Sequence, residues 1–449
     1  MSSTHVVLFT RDLRVHDQPV LRAAADAAGA DGAVVPLFVL DAGVDGFRAP
    51  NRERFLAESL ADLDAGLQEA GAGLVVRRGR VVDEVRRVAG EVDAATVHVA
   101  GDVSAYAGRR REALRDALGE DGRELAVHDR VVTVVAPGEV TPTSGDHFQV
   151  FTPYHRRWAE ADVRAPLGPP RRLRLPDGLD RGERPDPPGD DEVATGLLRG
   201  GERAARERLD AWLERIEDYA QGQDSPAQDA TSRFSSFLHF GCLSPTEVVR
   251  RAGTASDAAA QFVRQLAWRD FHAQTLAARP RASTRDYRDR GDRWRRDEAE
   301  FEAWAQGRTG VPIVDAGMRQ LHHEGWMHNR LRLITGSFLV KSLYLDWRLG
   351  AEHFLHHLVD GDVANNQMNW QWVAGTGTDT RPNRILNPLA QARRYDPDGA
   401  YVRRWVPELA ALEGRRIHEP WKARGEVDYP APIIDLDDAG DAFRAARGV

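Results

Sequence analysis

The sequence predicts an α/β domain with a mostly parallel, Rossmann-like sheet, followed by an all-helical carboxyl-terminal domain. Three observations carry this. Short apolar runs at His5–Thr10, Ala33–Leu40, Leu74–Val76, Thr96–Ala100 and Glu124–Val127 alternate with longer Ala/Leu/Arg/Glu-rich segments such as Arg52–Ala70 and Ala105–Leu118. Strand and helix in alternation are the pattern of a parallel sheet. From Arg164 to about Gly189 the chain is dense in Pro, Gly, Asp and Arg without periodicity, which reads as an interdomain connection. Helical spacing resumes near Gly201, where Leu209, Trp212, Leu213 and Ile216 recur at three- and four-residue intervals within Glu202–Ala220. The expected division is residues 1–130 for the α/β domain, 131–200 for the connection and 201–449 for the helical domain.

At 449 residues the chain can bury two or three cores. Its single cysteine, Cys242, excludes a disulfide framework, a multi-cysteine zinc site and an iron-sulfur cluster within one chain. No metal-ligand set is expected. The lone thiol and the lack of any run of about twenty apolar residues point to a soluble, cytoplasmic protein, expected to be a monomer, with no membrane partner. The net charge of -8 argues against an indiscriminate nucleic-acid binder, but charge is uneven: Arg264–Arg296 holds ten arginines and four aspartates. That asymmetry suits one phosphate-facing surface, although a merely solvated face gives the same composition.

Several polar and aromatic residues share helical faces. Asp362, Asn366 and Trp370 lie four apart on one stripe, with Trp372 turned roughly to the opposite side of Trp370. Flat aromatic surfaces interleaved with Asn, Asp and Arg suit a planar heteroaromatic ligand, and equally a core packed for bulk. Gln265, Trp268, Arg269 and His272 form a second stripe, too polar for a core and too aromatic for a solvated face. Thr231, Ser232 and Ser235 beside Arg233 open a helix in a way that suits either an N-cap or an anion. Thr10–Arg14 and Ala100–Asp102 fall at strand ends, where ligands of open α/β sheets bind; a strand-end salt bridge is the alternative for Arg11 and Asp12.

Gly325-Trp-Met-His-Asn-Arg-Leu-Arg332, Asp360-Gly-Asp with Asn365-Asn366, and Trp370-Gln-Trp372 closely resemble the flavin-binding heart of the photolyase and cryptochrome family. The resemblance spans essentially the whole chain and is strongest from Tyr219 to Trp421. It implies FAD held by Tyr219, Thr231, Ser232, Arg233, Phe234, Ser235, Trp268, Asn329, Arg332, Asp360, Gly361, Asp362 and Asn366. Asn366 is then expected at flavin N5, where a neutral amide tolerates the reduced anionic ring and favours repair over signalling. Trp370, Trp347 and Trp294 fall on the family's chain of electron-transferring tryptophans.

The same resemblance implies a DNA side made of Gln265, Trp268, Arg269, His272, Asn329, Arg330, Leu333, Trp372, Arg384 and Gln391, with Arg393, Arg394, Arg403 and Arg404 gripping phosphates. Gln265 stands where many bacterial cyclobutane-dimer enzymes have Glu. Asn329 and Leu333 stand where animal-type (6-4) enzymes have His, so a cyclobutane pyrimidine dimer in DNA is the expected substrate and light-driven repair the expected activity. The alternative is a cryptochrome-like blue-light sensor, which the mere 28 residues after Trp421 disfavour. Arg11, Asp12 and Asp102 are expected to hold a second, antenna chromophore. Asp102 with Ser104 and Tyr106 favours 8-hydroxy-5-deazaflavin over methenyltetrahydrofolate.

Overall fold

A computed structural model describes residues 3–423 and 425–448. Its contacts divide the chain into two compact units: residues 1–189, 198–217 and 232–280 form the first, and 190–197, 218–231 and 281–449 the second.

The first unit contains a five-stranded sheet of order β3-β2-β1-β4-β5, with β1 (Thr4–Phe9) in the centre, β2 (Ala33–Asp41), β3 (Val75–Gly79), β4 (Ala94–Ala100) and β5 (Glu124–His128). Every pair is parallel; Thr4 lies opposite Ala33 and Phe9 opposite Phe38. Parallel strands covered on both faces need continuous apolar sequence. Accordingly Val6, Val7 and Leu8 in β1, and Val34 and Val35 in β2, are buried at consecutive positions. The intervening helices start where local chemistry dictates: Pro19–Ala28 has Pro at its first turn and the Gln18 side chain accepting from the Val20 amide, and Ala105–Glu120 is capped by Ser104.

This unit also carries helices. Phe151–Glu160 lies within the stretch expected as a connection, and the long helix Asp257–Ala278 is tied to it. The buried Asp270 accepts from the amides of Val134 and Val135 and from the Trp158 indole, at 2.9, 3.0 and 2.9 Å. Burial nevertheless holds its carboxyl up at about 6. The helix expected to run through Ala220 ends at Glu214, giving way to a 3-10 turn, Ile216–Asp218, and a short helix, Tyr219–Gly222. The segment holds no proline or glycine breaker; the change coincides with the crossing from the first unit to the second after Glu217.

The second unit is helical. Glu298–Ala305, Pro312–Glu324, Asn329–Ser337, Trp347–His357 and Val363–Ala374 surround a core that includes Trp304, Met318, Leu331, Phe338, Trp347, Phe354 and Trp370. Pro312 opens its helix and Gly325, at φ 59°, closes it in the left-handed conformation that glycine tolerates. Among the described residues no helix is long and apolar enough to cross a membrane.

Candidate functional site

In the second unit, the helix Val363–Ala374 starts at Asp362, whose carboxylate accepts from the Asn365 amide at 2.8 Å. One turn on, the buried Asn366 donates Nδ2 to the Ala351 carbonyl at 3.0 Å, which fixes the orientation of its amide. Another turn places Trp370 against Phe354, with ring centres 4.9 Å apart in an edge-on arrangement. Gln371 is fully buried and anchors a separate loop, bonding the Ala282 carbonyl and the Tyr287 amide, both at 2.6 Å. Trp372 is half-buried with the Arg384 guanidinium 5.1 Å from its ring centre. The stripe expected from the sequence is therefore present, and the two tryptophans have different surroundings.

Arg332 donates to the Met327 carbonyl at 2.9 Å and to Asp360 Oδ2 at 2.7 Å. Asp360 is buried, as is Gly361, and its other oxygen, Oδ1, has no hydrogen-bond partner among the described residues. A buried carboxylate oxygen without a donor is costly, and a hydroxyl-bearing ligand is the kind of partner that satisfies it. The residues thus fit a polar cofactor such as FAD. Asn329 is exposed; Arg330 pairs with Asp224 and lies 4.3 Å over the Tyr395 ring. Leu333 packs at the edge of the core, Gln391 is half-buried, and Tyr219 is buried, its hydroxyl pushed up by burial and by the charge of Asp224.

Trp347 is completely buried, with Nε1 donating to Asp286 at 2.8 Å and Arg348 4.7 Å over the ring. Trp294 is half-buried beside Tyr344, with ring centres 5.0 Å apart. A fourth indole, Trp304, touches Trp370 edge-on at 6.0 Å.

The first unit holds residues 232–235, the stripe from Gln265 to His272, and the strand-end residues. Arg233 adopts φ 55°, and the helix Ser235–Phe240 begins after Phe234, whose amide donates to the Ser232 hydroxyl at 3.4 Å. Ser232 also presents its carbonyl to Arg208 at 2.7 Å. Along Asp257–Ala278 the predicted stripe runs from exposed Gln265 through half-buried Trp268 and Arg269 to buried His272. One face of Trp268 is stacked on Phe151, with centres 3.7 Å apart and planes 6° from parallel. Arg269 donates to the carbonyls of Val132 and Leu238, so its guanidinium braces the fold.

Arg11 pairs with Asp102 at 3.3 Å, the strand-end salt bridge weighed as the alternative. Asp12 is fully buried; its oxygens accept from the Thr10 amide and from Gln18, each at 2.8 Å, so it holds the turn from within. Arg14 is also buried, donating to the carbonyls of Asp17, Gly241 and Val131.

Two histidine sets escaped the sequence reading. His5, His98 and His128, on three adjacent strands, are linked ring to ring at 3.0 Å per step. His322, His353 and His357 bring one ring nitrogen each within 4.8 Å of the others. The four-residue spacing of His353 and His357 was a signal for the latter, but His322 comes from a different helix.

Comparison with known proteins places these features. Residues 262–447 match the model for the FAD binding domain of DNA photolyase, and residues 5–171 match the DNA photolyase model. A Streptomyces griseus deoxyribodipyrimidine photo-lyase is 58% identical over 100% of both chains. A bacterial class III photolyase from Agrobacterium tumefaciens superposes with TM-score 0.93 at 34% identity, covering 100% of this chain and 98% of that one. An archaeal photolyase from Sulfolobus tokodaii, solved with two FAD molecules, gives TM-score 0.85 at 30% identity over 99% of each chain. With its sheet, its helical unit and both family models matched along the sequence, this chain belongs to the DNA photolyase family.

Proposed function

We propose that the protein repairs cyclobutane pyrimidine dimers in DNA with blue light, using FAD. The chemistry that FAD supplies when bound and reduced is light absorption and the loan of one electron to the dimer, which returns after two C–C bonds open, so no net redox change occurs. The observation that carries the reading is the buried Asp360, tied to Arg332 through one oxygen and lacking a donor among the described residues on the other. Arg332 fixes the carboxylate, and the orphaned oxygen is free to take a cofactor hydroxyl. Asn366 is locked by Ala351 so that its amide keeps one orientation, neutral at every working pH.

On the DNA side, Arg281, Arg285, Arg290, Arg293 and Arg296 are exposed and have no carboxylate partner among the described residues. They suit phosphates, which position a duplex without reading its sequence. Photolyases reach their target by extruding the damaged nucleotide from the stack. Trp372, on the same unit as these arginines, offers an indole for a pyrimidine face. The absence of histidine at Asn329 and Leu333 supports a cyclobutane lesion. For the antenna, Arg11 and Asp102 remain the candidate contacts, with Tyr106 nearby in sequence under Arg110 at 5.5 Å, and 8-hydroxy-5-deazaflavin remains the favoured chromophore.

The test is illumination of the purified, chemically reduced flavoprotein with a dimer-containing oligonucleotide. Restored thymines are the expected product. Flavin photoreduction with no repair would convert the reading to a light sensor.

A further inference from the structure

We propose that His322, His353 and His357 form a binding site for a divalent transition ion, zinc in the cell, that locks the helix Pro312–Glu324 to the helix Trp347–His357. The inference is independent of the photolyase reading, since none of the three residues belongs to the flavin or DNA sets. His353 and His357 lie one turn apart on the same helical face. The His322 ring faces both, at 5.7 and 4.7 Å between centres, and the rings of His353 and His357 are 4.5 Å apart. One nitrogen from each ring falls within 4.8 Å of the other two. On a tetrahedral zinc, imidazole nitrogens bound at about 2.1 Å stand about 3.4 Å apart. Metal binding therefore requires the rings to turn toward one another, bringing each pair of nitrogens closer by up to about 1.4 Å.

A second observation points to a ligand. His353 Nε2 is shielded from solvent and has no hydrogen-bond partner among the described residues. An orphaned imidazole nitrogen facing two more imidazoles is unfavourable, and a metal ion that accepts three lone pairs resolves it.

The donor set selects the metal. Three neutral imidazoles with no carboxylate in the set disfavour magnesium and calcium, which take oxygen ligands, and suit zinc, copper or nickel. Zinc is the occupant we assign because three protein nitrogens and a fourth position open to water form one of its regular coordination sets. Phe301 and Trp304 wall one side, 6.2 and 5.4 Å from the His353 ring centre, while exposed His322 gives the ion its way in. The helix Trp347–His357 also carries Gly350 and Phe354, which seat Trp370. An ion at its carboxyl-terminal end therefore steadies the element behind that indole.

The experiment uses the untagged, full-length, FAD-loaded protein stripped with EDTA. Zinc is titrated in competition with a chromophoric chelator, Tm is followed with and without zinc, and cobalt is added separately as a spectroscopic substitute. One equivalent of zinc bound, a raised Tm and the intense visible bands of tetrahedral cobalt are expected. His353→Gln and the surface variant His322→Gln should each weaken zinc binding by at least roughly tenfold, while His323→Gln, the next residue on the same helix, should bind as the parent does. Absence of saturable binding, unchanged affinity in both His322→Gln and His353→Gln, or cobalt that stays in its octahedral aqueous form overturns the proposal.

Discussion

The indole of Trp370 occupies the space that a side chain at residue 350 would need: a Cβ built on Gly350 comes within 2.2 Å of the Trp370 ring and 2.6 Å of Leu339. Both neighbours are fixed in the core, so Gly350→Ala must displace the indole or the helix backbone. Overpacking of this kind costs about 1–3 kcal/mol. The expected outcome is a lower urea midpoint together with slower flavin photoreduction, because the displaced ring is the innermost of the expected tryptophan chain. An unchanged midpoint would show that the helix yields without cost.

Asp360 gives a prediction on cofactor affinity. Asp360→Ala leaves the Arg332 guanidinium without its carboxylate and removes the acceptor we assign to FAD. Truncating one partner of a buried charged pair costs about 2–5 kcal/mol. Purified variant protein should be largely colourless, and its Kd for added FAD should rise by at least about tenfold. Retention of flavin at parental stoichiometry would remove Asp360 from the binding set.

Much of this was legible before the structure, and the exceptions share a cause. The five strands could be read because strands buried on both faces leave nearly uninterrupted apolar runs. Asp362, Asn366 and Trp370 could be placed on one stripe because helical spacing is local. Asp12 could not be placed, since a strand-end carboxylate looks the same whether it faces a ligand or turns inward to Thr10 and Gln18. The Phe151 ring on Trp268 joins residues 117 positions apart, and no local pattern encodes such a pairing. His322 was missed for the same reason, its partners lying on another helix.

The tryptophan chain separates photoreduction from repair. Trp347→Phe keeps an aromatic ring but removes half of the buried indole and the bond from Nε1 to Asp286, at a cost of about 2–3 kcal/mol. Light-driven reduction of oxidised flavin in the presence of an external reductant should fall sharply. Repair by protein already reduced with dithionite should remain near the parental rate. Equal photoreduction in the variant would mean that electrons take another route, for which Trp304, in contact with Trp370, is the first residue to replace.

The exposed arginines predict a salt dependence. Replacing Arg285, Arg290 and Arg293 with Ala should weaken binding to damaged and undamaged duplexes alike, since phosphate contacts carry no lesion information. For every arginine that pairs with a phosphate, its removal should reduce the slope of log K against log salt by about 1. Fluorescence anisotropy across a salt series measures this directly, and an unaltered slope in the triple variant would place the DNA elsewhere.

The histidine line across the sheet sets the response to acid. His98 donates to or accepts from His5 and His128 on its two sides, with Ser3 beyond His5, and Asp12 and Asp129 acting on His128. Burial, followed by the neighbouring rings, holds the His98 imidazole down at about 4, below its ordinary 6.5. Between those two values the unfolded chain takes up a proton that the folded chain refuses, so stability falls as pH drops from 6.5 to about 4 and the loss is complete below that. Discounted for solvent screening, the effect is about 2 kcal/mol. His98→Gln keeps a donor and an acceptor between the strands without titrating. Urea midpoints measured at several pH values through this window should therefore decline more steeply for the parent than for the variant, while the two should differ by a constant offset above pH 7. Parallel curves throughout the window would show that His98 is protonated in the fold and that the ring-to-ring bonds do not hold it neutral.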